Sequence, residues 1–411
     1  MPPAAPAPIA ADAPAPARRP LRIAVVTETY PPEVNGVAAT LACCVQGLRA
    51  RGHAVQLVRP RQDASDAAAS EVLLRGLPIP CYPHLRMGLP ATRTLVRLWT
   101  AARPDLVHVV TEGPLGWSAL HAARRLRLPL SSDFRTNFHA YGRHYGLAWL
   151  HGPLMAYLRR FHNRCGLTMV PTESLRRQLV DEGFARLQVV ARGVDTRLFH
   201  PGRRSEPLRA AWGAAPDTPV VVHVGRLAPE KNLGLLWQAV QAMRTVDPRV
   251  LLVVAGDGPL RPALERAWAG QGVVFAGVLR GEALAAHYAS GDVFLAPSTT
   301  ETFGNVTTEA LASGLAVLAY GYAAAARLIV HGDNGLLAPY DQPTRFLAEA
   351  RRLARAPELV RRLCARAPQA AAGLAWDRIV AEMETAFVQL LQAHAPGRAV
   401  RALPPAVAGL P

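Results

Sequence analysis

The chain has 411 residues, half of them apolar, and a formal net charge of +16. That length exceeds one comfortable core, so two domains are expected, and no apolar stretch approaches the roughly 18 to 20 residues that cross a bilayer. The charge is uneven: residues 21–200 carry 23 arginines against 12 acids, net +11, whereas residues 201–394 carry 19 basic and 17 acidic residues, net +2. No RNA-binding or helix-turn-helix signature accompanies the basic half, so nucleic acid is not an expected partner; an anionic lipid surface fits the charge as well.

Residues 1–20 form a Pro/Ala-rich arm without the compact apolar centre of a secretory signal, and residues 394–411 read as a similar tail. Between them, short Val/Ile/Leu runs alternate with helical patterns, the rhythm of parallel, doubly wound sheets. In the first half the predicted strands are 22–26, 54–59, 106–110, 128–134 and 167–171; in the second they are 219–225, 250–256, 273–277, 292–297 and 315–320. The seam falls in the polar stretch 192–208. The expected organisation is therefore an α/β domain over 21–200, a second over 201–375, and a helix over 376–393 that crosses back to the first. Five cysteines, Cys43, Cys44, Cys81, Cys165 and Cys364, are odd in number and lack C-x-x-C spacing, as suits reduced thiols in a cytoplasm.

Ligands of open α/β sheets bind beyond the carboxyl ends of the strands. After the strand at 219–225 comes "GRLAPEKNL", with Gly225, Arg226 and Lys231; after that at 292–297 comes "STTETFGNVTTEALASG", with Glu301 and Glu309. Gly304 or Asn305 is the expected N-cap of a helix closed by Gly314, so the amides from Phe303 to Val306 face the positive end of a helix dipole. Glu309, read as lying in the first turn, serves either a neutral hydroxyl or the dipole itself. Lys231 is the only lysine among 46 basic residues, which suggests a need for a compact ammonium. With no D-x-D motif in the sequence, Arg226 and Lys231 are the cations expected to neutralise a diphosphate, and no metal or other cofactor is expected.

Together, "TETYPPEVNGVAATL", "EGPLGWSAL", "SSDFRTNFHAYGRHYG", "RGVDTRLFHP", "VGRLAPEKNL", "GDGPLRPALE" and "ETFGNVTTEALASG", in this order over residues 21 to 390, resemble the retaining family 4 glycosyltransferases of GT-B fold, in particular the GDP-mannose-dependent α-mannosyltransferase-like and glycolipid-forming members. The resemblance implies two facing Rossmann-like domains with an interdomain active site and transfer of a hexose from a nucleotide sugar, GDP-mannose favoured, to a hydroxyl of a glycolipid or glycan. It further implies that Glu301 holds donor-sugar hydroxyls, Glu309 the ribose, Arg226 and Lys231 the leaving diphosphate, and that Gly36 lets the first domain's backbone approach the phosphates. The loop from Gly277 to Gly281, with Val278 and Leu279, would meet the base. In similar enzymes a diphosphate oxygen takes the acceptor proton on the face the leaving group vacates, so Glu301 positions the sugar and is no nucleophile.

One departure stands out. Family members often carry a histidine where this chain has Arg135. Arg135 keeps donor capacity, or binds an acidic acceptor, or is structural; His139, four residues on, is the alternative. His108, in an apolar strand, reads as a core histidine, and residues 154–165 as a basic amphipathic helix that either docks on lipid at the inner face of the cell membrane or is simply solvated. The rival functions are a UDP-hexose-dependent transferase and a non-catalytic nucleotide-sugar or nucleic-acid binder.

Overall fold

The computed structural model describes residues 19–394, apart from 32, 34, 64, 65, 67–70, 80, 81 and 136–150. The first sheet contains β1 (Arg22–Val26), β2 (Ala54–Pro60), β3 (Glu71–Leu74), β6 (Leu106–Val109), β7 (Leu130–Asp133), β8 (Leu167–Val170) and β9 (Leu187–Val189). Their order is β3-β2-β1-β6-β7-β8-β9, all parallel. β4 (Gly76–Ile79) and β5 (Tyr82–Gly88) pair separately as an antiparallel hairpin. The second sheet contains β10 (Val220–Val224), β11 (Leu251–Ala255), β12 (Val273–Gly277), β13 (Val293–Ala296), β14 (Ala316–Tyr320) and β15 (Leu336–Ala338). It too is wholly parallel, ordered β12-β11-β10-β13-β14-β15.

The second sheet shows why its strands are nearly continuous apolar runs. Side chains alternate between faces along a strand, and both faces are covered. Val220, Val222 and Val224 point into a core shared with the helix Asn305–Ala312, while Val221, Leu252 and Val254 point into another shared with the helices Leu233–Arg244 and Pro343–Arg355. Both faces of the sheet are therefore covered by apolar side chains.

In both sheets the order reverses once, between β1 and β6 and between β10 and β13. At such a switch point the connections leave in opposite directions and open a crevice at the strand ends.

The helix Trp376–His394 returns to the first sheet. Its Val380, Met383, Ala386 and Phe387 share a core with Leu41, Val45 and Leu48 of the helix Gly36–Ala50, and Arg51 Nε donates to Glu384 Oε2 at 2.7 Å. Close to its start, Val194 bridges to Ala375, so the outgoing and returning segments run side by side.

The five predicted strands of each half are present, and five were not foreseen: the short β3, β4, β9 and β15, and the seven-residue β5. The cysteines Cys43, Cys44, Cys165 and Cys364 are free thiols, and Cys81 lies outside the described residues.

Candidate active site

β10 ends at the second sheet's switch point, and the chain turns through Gly225 and Arg226 into a short 3-10 turn, Pro229–Lys231. Asn232 follows in the left-handed region, φ 52°, and opens the helix Leu233–Arg244. Its Nδ2 donates to Pro297 O at 3.4 Å, fastening this turn to the loop after the neighbouring strand β13. The loop Gly256–Gly258 supports the turn from below. A Cβ on Gly256 would stand 1.9 Å from Gly225 O, so only glycine lets these two backbones stack.

The loop after β13 carries Glu301. Tyr322 organises it: the Glu301 amide donates to Tyr322 Oη at 3.0 Å, and that hydroxyl donates to Ser298 O at 2.8 Å. Glu301 Oε1 accepts from Lys231 Nζ, with both side chains mostly buried. An ammonium has three donors, of which the bond to Glu301 occupies one. Arg226 keeps an exposed guanidinium 3.8 Å from the buried Glu230. Beneath them, His223 in β10 is held neutral: burial pushes its pKa down to about 4, and its Nδ1 lies 3.1 Å from Leu295 O.

Gly304, at φ 98°, is the N-cap of the helix Asn305–Ala312 and provides no side-chain acceptor for the helix's first amides. A helix start left open in this way suits an anion or an electronegative hydroxyl. Phe303 is buried in the core, so only its main chain is near this end. Asn305 reaches across to the first domain, its Nδ2 donating to Thr40 Oγ1 at 3.3 Å. A Cβ on Gly36 would meet nothing closer than Asn305 Nδ2, at 3.7 Å. The protein itself therefore leaves room at Gly36.

Glu309 sits in the second turn of its helix, not the first as the sequence suggested, because the helix starts at Asn305 and no acid falls in its opening turn. It accepts a 2.9 Å bond from Tyr288 Oη, and burial raises its pKa to about 7. Val278 is exposed on the turn after β12, and Leu279 is half-buried against the core.

Arg135 lies inside the first domain. Its Nε donates to Asp133 Oδ2 at 2.7 Å, and Arg192 Nη2 donates to its carbonyl at 3.2 Å. Arg192 feels burial most strongly, which lowers its pKa to about 10, and the Glu301 carboxylate is among the charges that oppose this. His108 is fully buried with Nδ1 2.9 Å from Ser131 Oγ, as a core histidine should be. His139 lies outside the described residues, as do His144 and Tyr145. The sequence reading missed Tyr322, Tyr288 and Arg192; each acts on a residue distant in the chain, a relation that local spacing does not encode.

In the helix His151–His162, Met155, Leu158 and Phe161 are buried in the first domain, so the apolar face is spent on the core. Outward it presents Tyr157, Arg159 and Arg160. Among the described residues no group of three or more His, Cys, Asp or Glu side chains could hold a metal ion, and no helix is long and apolar enough to cross a membrane.

Two facing parallel sheets, with a cation pair and an open helix end at the switch point of the second, define a glycosyltransferase of GT-B architecture. Residues 34–198 match the family described as Glycosyltransferase Family 4, and residues 218–356 match Glycosyl transferases group 1. The chain is 34% identical over 338 residues to a GDP-mannose-dependent alpha-mannosyltransferase of Mycobacterium tuberculosis, covering 80% of this chain and 87% of that one. It is 32% identical over 308 residues to a sulfoquinovosyl transferase of Arabidopsis thaliana, covering 73% and 60% respectively. Among solved structures, the sucrose-phosphate synthase of Thermosynechococcus elongatus superposes with a TM-score of 0.71 at 20% identity, over 92% of this chain and all of that one, a likeness of fold. The chain belongs to the family 4 glycosyltransferases and is a hexosyltransferase.

Proposed function

We propose that the enzyme transfers mannose from GDP-mannose to a hydroxyl of a glycolipid or glycan, with retention of configuration and without a metal ion. The donor follows the mannosyltransferase relatives. The observation that carries the mechanism is the contact between Lys231 and Glu301 at the β10/β13 switch point. In this reading the Lys231 ammonium keeps one bond to Glu301 and turns its remaining donors to the departing diphosphate, joined by the Arg226 guanidinium. Glu301, so anchored, accepts hydroxyls of the sugar. The open amides at Gly304 to Val306 and the backbone at Gly36 enclose the phosphates from opposite domains. Glu309, oriented by Tyr288, accepts from the ribose, and the turn at Val278 and Leu279 lies under the base. A phosphate oxygen takes the acceptor proton as the glycosidic bond breaks.

The units proposed are residues 21–200 for the acceptor and 201–375 for the donor. A peripheral position on an anionic inner membrane face is proposed on charge alone, because the apolar side of the 151–162 helix is already buried. The reading is tested by thermal shift of the purified chain against a panel of nucleotide sugars, since the correct donor stabilises the fold by mass action. GDP-mannose should give the largest rise; a larger rise with UDP-glucose would transfer the assignment to a UDP-hexose.

A further inference from the structure

Three buried charges at the end of the first sheet are given no role in the donor reading above. Asp133 closes β7, Arg135 follows two residues later, and Arg192 arrives from the segment that joins the two sheets. With Thr40, Cys44, Met169 and Met383 they line a cavity about the size of one water molecule.

The charge there does not close. Arg135 and Arg192 are only 6% and 7% exposed, yet they face one carboxylate, Asp133, which Arg135 grips through both Nε and Nη2 at 2.7 and 2.5 Å. The next acid, Glu301, is held by Lys231. Among the described residues Arg135 Nη1 is buried without a hydrogen-bond partner, and so is His108 Nε2 beside Asp133. A trapped water would satisfy the hydrogen bond of Nη1 but would leave the excess positive charge uncompensated, and a buried charge persists only when paired. Guanidinium forks match the oxygens of carboxylates and phosphates. Thr40 also accepts the Asn305 bond across the domains, so this cavity lies directly below the line where the acceptor domain meets the donor helix.

We propose that Arg135 and Arg192 form an oxyanion pocket that receives a phosphate or carboxylate oxygen carried by the acceptor, and so select acidic acceptors. This rests on the donor reading above for which substrate stands above the pocket. It also explains why arginine, and not a neutral histidine, occupies position 135.

The test uses the full chain saturated with GDP, which fills the diphosphate site, and titrates inorganic phosphate against NaCl of matched ionic strength while following the thermal midpoint. Wild type should gain stability from phosphate beyond the salt control. Arg192→Gln, which leaves the Arg135 to Asp133 pair intact, should weaken that response at least tenfold, and Asp133→Asn should strengthen it. Mannose 6-phosphate should bind more tightly than phosphate, and mannose not at all; equal affinity for mannose 6-phosphate and phosphate would overturn the acceptor assignment. If GDP stabilises wild type but phosphate adds nothing, the pocket is refuted. If GDP itself has no effect, the donor reading fails, and the difference between wild type and Arg192→Gln in phosphate alone still decides the pocket.

Discussion

Replacing Lys231 by alanine removes a charge whose value can be worked out from its surroundings. Breaking the bond between sugar and diphosphate adds about one negative charge to the leaving group. One ammonium at about 4 Å, in an effective dielectric of about 20, stabilises that charge by about 4 kcal/mol, equivalent to about 10³ in rate. Loss of a single oxyanion donor in other enzymes costs about 10² to 10³, the same range. The variant also strips Glu301 of its partner and leaves a mostly buried carboxylate beside the incoming diphosphate, so donor affinity falls together with turnover. Folding should suffer less than turnover, by about 1 to 3 kcal/mol, between the costs of breaking an exposed ion pair and a fully buried one. The assay is donor-dependent release of GDP together with a thermal midpoint. The double variant Lys231→Ala, Glu301→Gln should regain part of the donor affinity, because the second change removes the stranded charge. Turnover of folded Lys231→Ala within tenfold of wild type would refute this reasoning.

Three further outcomes are expected. Glu28 is pushed up to about 7, mainly by burial, and Glu309 likewise, so both bind protons in the folded chain that they release when unfolded; stability should therefore fall by about 1 to 3 kcal/mol per group as pH rises from about 4.5 through 7, and Glu28→Gln should flatten that slope in urea titrations. Gly36→Ala should fold normally, since its Cβ makes only an ordinary contact with Asn305, yet lose at least tenfold in donor affinity measured by calorimetry; an unchanged affinity would remove Gly36 from the phosphate site. Vesicles rich in anionic lipid should sediment the protein at low salt and release it at high salt, and changing Arg159, Arg160 and Arg164 together to Gln should weaken that binding; indifference of the wild type would dismiss the membrane reading.

The interior of each sheet was legible because strands covered on both faces must be apolar almost throughout, as Val220–Val224 is. Apart from β5, the strands that escaped reading are short, and β3, β9 and β15 each pair with a single neighbour. Glu71–Leu74 begins with an acid, Gly76–Ile79 includes Gly and Pro, and Leu187–Val189 and Leu336–Ala338 have three residues each, too few for a period to emerge. Lys231 and Glu301 could be placed on one edge of the second domain because both follow strands, and the sheet order then makes those strands neighbours and the two side chains a pair. The tyrosines that hold the acids could not. Tyr288 lies 21 residues before Glu309 and Tyr322 lies 21 after Glu301, and only the packing of helices against the sheet brings them together. The amphipathic pattern of the 151–162 helix was real but ambiguous, since a buried face and a lipid-facing one carry the same periodicity.

The central claim is most directly tested by supplying the purified chain, in EDTA, with GDP-mannose or UDP-glucose and a glycolipid acceptor fraction, and reading the anomeric configuration of the product by NMR. The account predicts an α-linked mannosyl product from GDP-mannose with no divalent ion present. A β-linked product, a strict metal requirement, or transfer only from UDP-glucose would contradict it.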